Sequence, residues 1–406
     1  MKKHNKTSSL FTRTAQTLLL TIIIFLFLNI IIYVIFNVKD SFKDETLNPI
    51  TAKYEASSFD KVYPGMTKAE ITQILNETWL RPLVYESFTQ FKEGAYRGTY
   101  VNVDKNGFRI SGNQSEWPPT NNNFNIFLFG GSTTFGYGLA DNETIPSYLQ
   151  EVLVLRFADN VKVYNFGRGH YYSSQECMLF QKLIIAGFVP DMAIFIDGIN
   201  DFSYGMNGPM YTPTLTRFVN EKAGSSEMFY LNNLPWFRFM RYFKDVISGK
   251  RTSEFDEVWE DHAVTSADIE PYNDMPWIKG VVENYMKNKK VIEAVSSSFG
   301  VQPIFVWQPV PMFKYDIKNH LFAKGGFFKY ENYSIFGYPY MDTFVRENDL
   351  GDNFLWCADM QENLMEPLYV DKVHYTAGMS EKIAHTLADL LFKRKFLVEK
   401  GVQSLP

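Results

Sequence analysis

Residues 127–138 read FLFGGSTTFGYG, an apolar run that stops at two glycines, a serine and two threonines before two further glycines. A buried strand that ends in a sharp turn needs residues free of a Cβ, and Gly130 and Gly131 supply them. The same pair clears space around the Ser132 hydroxyl. The stretch is therefore either a plain chain reversal or a nucleophile set at the carboxyl end of a strand. The chain on either side decides between them. IPSYLQEVLVLRFA (145–158) has helical spacing, and VKVYNFG (161–167) is a second apolar run ending in glycine. SSQECMLFQKLIIAG (173–187) is helical again, and PDMAIFIDGIND (190–201) is a third run ending in a polar cluster. A helix over 275–300, a fourth strand in VQPIFVWQPVP (301–311) and a closing helix over 378–396 complete the series. This alternation predicts parallel β-α-β units. The nearly unbroken apolar runs are those of a sheet covered on both faces. Ligands bind outside the carboxyl ends of the strands in such sheets. The turns at 130–138, 167–174 and 197–201 all fall on that edge.

The N-terminal part of the chain reads differently. LLLTIIIFLFLNIIIYVIFNV (18–38) has no charged residue and is long enough for the roughly 20 residues of a membrane-spanning helix. Lys2, Lys3, Lys6 and Arg13 precede it, and the first acidic residue is Asp40. Positive-inside asymmetry then leaves 1–17 cytoplasmic and exports the chain beyond Lys39. A cleaved signal peptide is the competing reading, but its apolar core is about 7–15 residues and ends at small residues. The run here is longer and leads into IFNVKDSF, which favours an uncleaved single-pass anchor. Asn29 within it either bonds to a neighbouring helix or is simply tolerated. Residues 39–123 form a linker and a small α+β extension. In it Thr67 and Glu70 have capping-box spacing, and 95–112 reads as a hairpin about a Lys-Asn-Gly turn. Residues 115–123 read as a loop, 203–275 as an insertion after the third strand, and 312–355 as aromatic and loop-rich. The main domain runs over 124–400.

Bulk composition narrows the function. A net charge of −5 over 406 residues offers no basic field for nucleic acid. Two cysteines far apart, Cys177 and Cys357, make neither a thiolate zinc site nor a disulfide framework, and two free buried thiols are expected. No metal or cofactor is called for. A hydroxyl nucleophile does need a base within reach and a group to orient that base. Of six histidines, His4, His262, His320 and His385 lie on the cytoplasmic side, in irregular inserts or mid-helix, leaving His170 and His374. Asp371 stands three residues before His374 in YVDKVHYTAG. Taken singly, Ser132 fits a helix cap, Asn200 an Asx turn, and Asp371 a solvated carboxylate. Their order along the sheet edge is what sets them apart.

FGGSTTFG, NFGRGHYYSSQE, DGIND and DKVH, in that order, resemble the four sequence blocks of the SGNH (GDSL-like) hydrolase superfamily. The resemblance spans Asn125 to the last helix, with the insertion unmatched. It implies a flavodoxin-like three-layer α/β/α fold and acyl-ester chemistry. Ser132 would be the nucleophile, His374 the base and Asp371 its orienter. The Ser132 N–H and the Asn200 amide would bind the oxyanion. The second block departs from the pattern. Its oxyanion glycine, counted without gaps from Asn165, falls on His170, with Gly169 one residue earlier as the alternative donor. The expected activity is hydrolysis of acyl or acetyl esters outside the inner membrane. The substrate would be an acylated glycan, a lipid or a small ester. Polysaccharide O-acyl transfer is the first alternative, and a glycan-binding module without catalysis the second.

Overall fold

The computed structural model describes residues 2–41, 56–112, 117–222, 236, 240, 270–323 and 333–398. The chain divides into two compact units, Met1–Pro49 with Pro213–Glu260, and Ile50–Thr212 with Asp261–Pro406. In the first, helix α1 (Lys2–Ser41) contains a 24-residue stretch, Phe11–Val34, with a hydropathy of 2.8, long and apolar enough to cross a membrane. Asn29 is satisfied inside this unit. Its Nδ2 donates to the Phe25 carbonyl one turn back (2.8 Å), and its Oδ1 accepts the Trp236 N–H (3.0 Å).

The second unit opens with the extension: α2 (Ala56–Val62), α3 (Lys68–Trp79), β1 (Leu83–Glu86), β2 (Gln90–Glu93), β3 (Tyr96–Arg97) and β4 (Asn102–Val103). Thr67 and Glu70 form the anticipated capping box at the start of α3. The stretch 95–112 makes two turns rather than one. β3 pairs with β4, and the Lys-Asn-Gly turn then brings Arg109 back beside Val103. The β1–β2 hairpin was not anticipated. Its turn carries no Gly, Asn or Pro, and Phe88 and Gln90 adopt φ near 70° instead.

Next come β5 (Phe124–Gly130), α4 (Ser132–Phe135), α5 (Ile145–Arg156), β6 (Val161–Gly167), α6 (Ser173–Ile185), β7 (Met192–Asp197) and α7 (Ile199–Tyr204), while α8 (Thr212–Lys222) belongs to the first unit from Pro213 on. Beyond the insertion lie α9 (Met275–Phe299), β8 (Gln302–Trp307), α10 (Ser334–Glu347), β9 (Phe354–Trp356) and α11 (Ala377–Lys393). The strands order β6-β5-β7-β8-β9, each parallel to its neighbour, which is the flavodoxin-like doubly wound arrangement. The aromatic, loop-rich stretch 312–355 also contains α10 and the start of the edge strand β9. β9 has only three residues, too few for a period to show. Of the expected insertion, 203–222 and 270–275 are described together with Trp236 and Met240; the remainder lies outside the described residues.

Side-chain alternation sorts the core into two layers. Ile126, Leu128, Val163, Ile194 and Ile304 face α5 and α11. Phe127, Phe129, Phe195 and Phe305 face the layer of α6, α9 and α10. Along that second face Phe129, Phe195 and Phe305 stack in a row, with centroids 4.8 and 5.5 Å apart. Both cysteines are free and buried, as expected. One lies in each layer.

Candidate active site

The order 2-1-3-4-5 puts the topological switch at the first strand, β5. Its two neighbours are the strands that come after it in sequence, and their connections run to opposite faces. Ser132 leaves the end of β5 and Asn200 lies just past the end of β7, the adjacent strand. Glycine is required at 131 by this closeness: a Cβ there would lie 2.4 Å from the Asn200 Nδ2. Gly136 ends α4 in the left-handed conformation (φ 89°), its N–H returning to the Ser132 carbonyl (2.9 Å). Ser132 thus sits at the first position of a one-turn helix, where a backbone N–H has no intrahelical acceptor.

His374 and Asp371 reach the same place from the turn before α11. Asp371 Oδ1 accepts the N–H groups of Val373 and His374 (both 2.9 Å), which closes the turn. Its Oδ2 meets His374 Nδ1 at 2.6 Å, and His374 Nε2 lies 2.8 Å from Ser132 Oγ. Burial alone would raise the Asp371 pKa. The His374 ring and the turn hydrogen bonds outweigh it and hold the carboxyl below its ordinary range. With Asp371 ionised, the imidazole proton belongs on Nδ1, leaving Nε2 to accept the serine hydroxyl.

The second-block turn distinguishes its two candidate donors. The Gly169 N–H is already donated to Glu93 Oε1 (2.9 Å). His170 stands in the left-handed region (φ 64°), and among the described residues its N–H meets no acceptor. A non-glycine residue held there stores strain of about 1–3 kcal/mol. Asn200 Nδ2 donates to the Tyr171 carbonyl (2.7 Å), so the amide lies between Gly131 and the turn that carries His170. The His170 ring points elsewhere. Its Nδ1 is 3.1 Å from the Tyr204 hydroxyl, and burial keeps its pKa below the ordinary value. Of the remaining histidines, His320 is buried and stacked on Tyr369 with its pKa pushed down to about 3, and His385 is exposed.

Sequence reasoning missed the second ring of residues. Tyr137 stacks on His374 (centroids 5.3 Å, interplanar 20°), and Trp79 meets the same ring edge-on at 5.5 Å. Arg109, fully buried, gives Nη1 to the carbonyls of Phe135 and Gly136 and Nη2 to that of Leu139, and pairs through Nε with Asp141 (2.8 Å). It therefore satisfies the carbonyls at the end of α4. Nothing in the sequence marks these four as neighbours. Glu176, Asp197 and Asp201 form a buried carboxyl group behind Asn200. Asp201 accepts from Ser173 Oγ (2.5 Å) and the Gly198 N–H (3.2 Å), yet burial pushes it up to about 6. Burial, with the neighbouring carboxyls, raises Glu176 and Asp197 well above the ordinary carboxylate range.

No family model matches the chain, and no curated protein matches it. Solved structures do match it. A GDSL-like lipase from Bacteroides thetaiotaomicron is 11% identical with a TM-score of 0.33, covering 68% of this chain and 91% of its own. A member of the lipolytic G-D-S-L family from Veillonella parvula is 11% identical with a TM-score of 0.31, covering 66% and 98%. The lipase/acylhydrolase from Enterococcus faecalis is 14% identical with a TM-score of 0.28, covering 69% and 99%. At these values the likeness carries no argument about the site, which stands on its own geometry.

Proposed function

We propose that this chain is a serine ester hydrolase of the SGNH type, tethered by its N-terminal helix with the hydrolase domain on the extracytoplasmic side. One observation carries the reading: Ser132 Oγ, His374 and Asp371 form a continuous hydrogen-bonded chain at the switch point of the sheet, 2.8 and 2.6 Å per link. Ser132 Oγ attacks the ester carbonyl while His374 Nε2 takes its proton, and Asp371 stabilises the imidazolium. The carbonyl oxygen becomes an oxyanion facing the N–H groups of Ser132 and His170 and the Asn200 amide. Collapse expels the alcohol, which receives the proton from His374. Water, deprotonated by the same imidazole, then releases the acid and restores Ser132. The substrate class is an acylated glycan, lipid or small ester. The cations before the apolar run, Lys2, Lys3, Lys6 and Arg13, support the orientation.

A membrane-impermeant fluorophosphonate applied to spheroplasts tests nucleophile and orientation together. It should label the wild-type chain and not Ser132→Ala, and p-nitrophenyl ester turnover should vanish in Ser132→Ala and His374→Ala. Labelling that survives in Ser132→Ala refutes the nucleophile. Labelling by a permeant probe alone refutes the orientation.

A further inference from the structure

The β1–β2 hairpin closes over the second-block turn and grips the residues on both sides of His170. Arg168 Nη1 donates to Glu86 Oε2 (2.6 Å), and the Gly169 N–H to Glu93 Oε1 (2.9 Å). The Tyr171 hydroxyl donates to the Phe91 carbonyl, and Gln175 Nε2 to that of Thr89 (2.7 Å). Glu86, Thr89, Phe91 and Glu93 are all buried. One oxygen of this set does two things. Glu93 Oε1 also accepts the Tyr137 hydroxyl (3.0 Å), whose ring stacks on His374. A single carboxylate of the extension thus touches both the turn carrying the oxyanion donor and the aromatic partner of the base.

That arrangement bears on the strain at position 170. A histidine stands where the chain needs a left-handed residue, a conformation that glycine adopts freely and histidine does not. Left to itself the turn would relax and swing the His170 N–H away from the oxyanion. Resting on the proposed acyl chemistry, we infer that the β1–β2 hairpin is a clamp on the oxyanion turn, and that Glu93 is its positioning residue. Glu93 touches no reacting atom. It holds Gly169, and through it the backbone of His170, while fixing Tyr137 against His374.

The test uses the full-length protein in detergent, with kcat normalised to sites titrated by fluorophosphonate. Glu93→Ala should lower kcat per titrated site about 10–100-fold with KM within about threefold, less than the loss of a whole oxyanion donor. Glu93→Gln keeps a carbonyl acceptor in place and should stay within about fivefold of wild type. The deciding variant is Glu93→Ala with His170→Gly: glycine holds the left-handed turn unaided, so kcat should recover about tenfold. A merely structural glutamate would lower the yield of titratable sites and leave their kcat alone, and His170→Gly would restore nothing. Either result overturns the clamp. If Glu93→Ala does not fold, Glu86→Gln loosens the Arg168 clasp instead. A smaller loss of kcat, again recovered by His170→Gly, supports the clamp, and unchanged kcat overturns it. A wild-type protein that neither labels nor turns over any ester removes the acyl chemistry itself, and the clamp with it. Wild-type activity with an unaffected Glu93→Ala removes the clamp alone.

Discussion

The strand-end turns and the extension at 56–112 serve one site in opposite ways. In the proposed chemistry the strand-end turns carry Ser132, the His170 N–H and Asn200, and the turn before α11 carries Asp371 with His374. The extension supplies none of them. It contributes buried charge and aromatic surface: Arg109 behind the nucleophile turn, Glu86 and Glu93 against the oxyanion turn, and Trp79 on the edge of His374. The difference teaches how the work divides. Ser132, His170 and Asn200 stand partly exposed on short turns, and the carbonyls and backbone around them are satisfied from elsewhere.

Removing a support should therefore cost stability first, and removing a reacting group should cost rate alone. The largest effect is expected from Arg109→Met, which strips the guanidinium from four carbonyls, those of Tyr100, Phe135, Gly136 and Leu139, and from Asp141. Asp141 is 20% exposed and keeps the Asn102 donors, but each buried carbonyl left unsatisfied costs about 1–3 kcal/mol, so urea unfolding should show a loss of about 3 kcal/mol or more. A loss below about 1 kcal/mol would make the extension an ornament and break the comparison.

Asn200→Ala should do the reverse. Among the described residues its amide meets only the Tyr171 carbonyl, so Tm should move by only a few degrees. kcat should fall about 10²–10³-fold, or roughly 2.7–4 kcal/mol, with KM little changed. A fall in Tm comparable to that of Arg109→Met would show that the turns are structural too.

The smallest effect sharpens the comparison within the turns. Asp371, in the turn before α11, and Asp201, in α7 just past the end of β7, have pKa values displaced in opposite directions. The lowered Asp371 contributes stability above the unfolded carboxyl pKa, lost as the pH falls through its folded value. The raised Asp201 contributes below the unfolded value of 3.8, and that contribution is lost as the pH rises towards its folded value of about 6. Between pH 5 and 6 this one group should take away about 1 kcal/mol as the solution becomes less acid. Glu176 and Asp197 add to the same slope. Asp201→Asn should flatten the dependence of unfolding free energy on pH over that unit, and an unaltered slope would show that Asp201 is ionised throughout.

Much of the fold and the site was legible in the sequence because it is local. The apolar runs at 124–130, 161–167, 192–197 and 302–307 carry the period of covered strands, and glycines and polar residues end the first three. Ser132 and Asn200 could be picked out because each stands beside such a boundary, and Asp371 and His374 because they share the short turn before the last helix. What only the tertiary structure decided has no local signature. β9 is three residues long, and the β1–β2 turn uses Phe88 and Gln90 where glycine would have announced it. Whether Gly169 or His170 offers its N–H depends on Glu93, 76 residues from Gly169, because a backbone donor is free only if no distant acceptor claims it. Arg109, Trp79 and Tyr137 belong to the site for the same reason. Their roles lie in whom they meet, and contacts between distant residues are fixed by packing rather than by spacing along the chain.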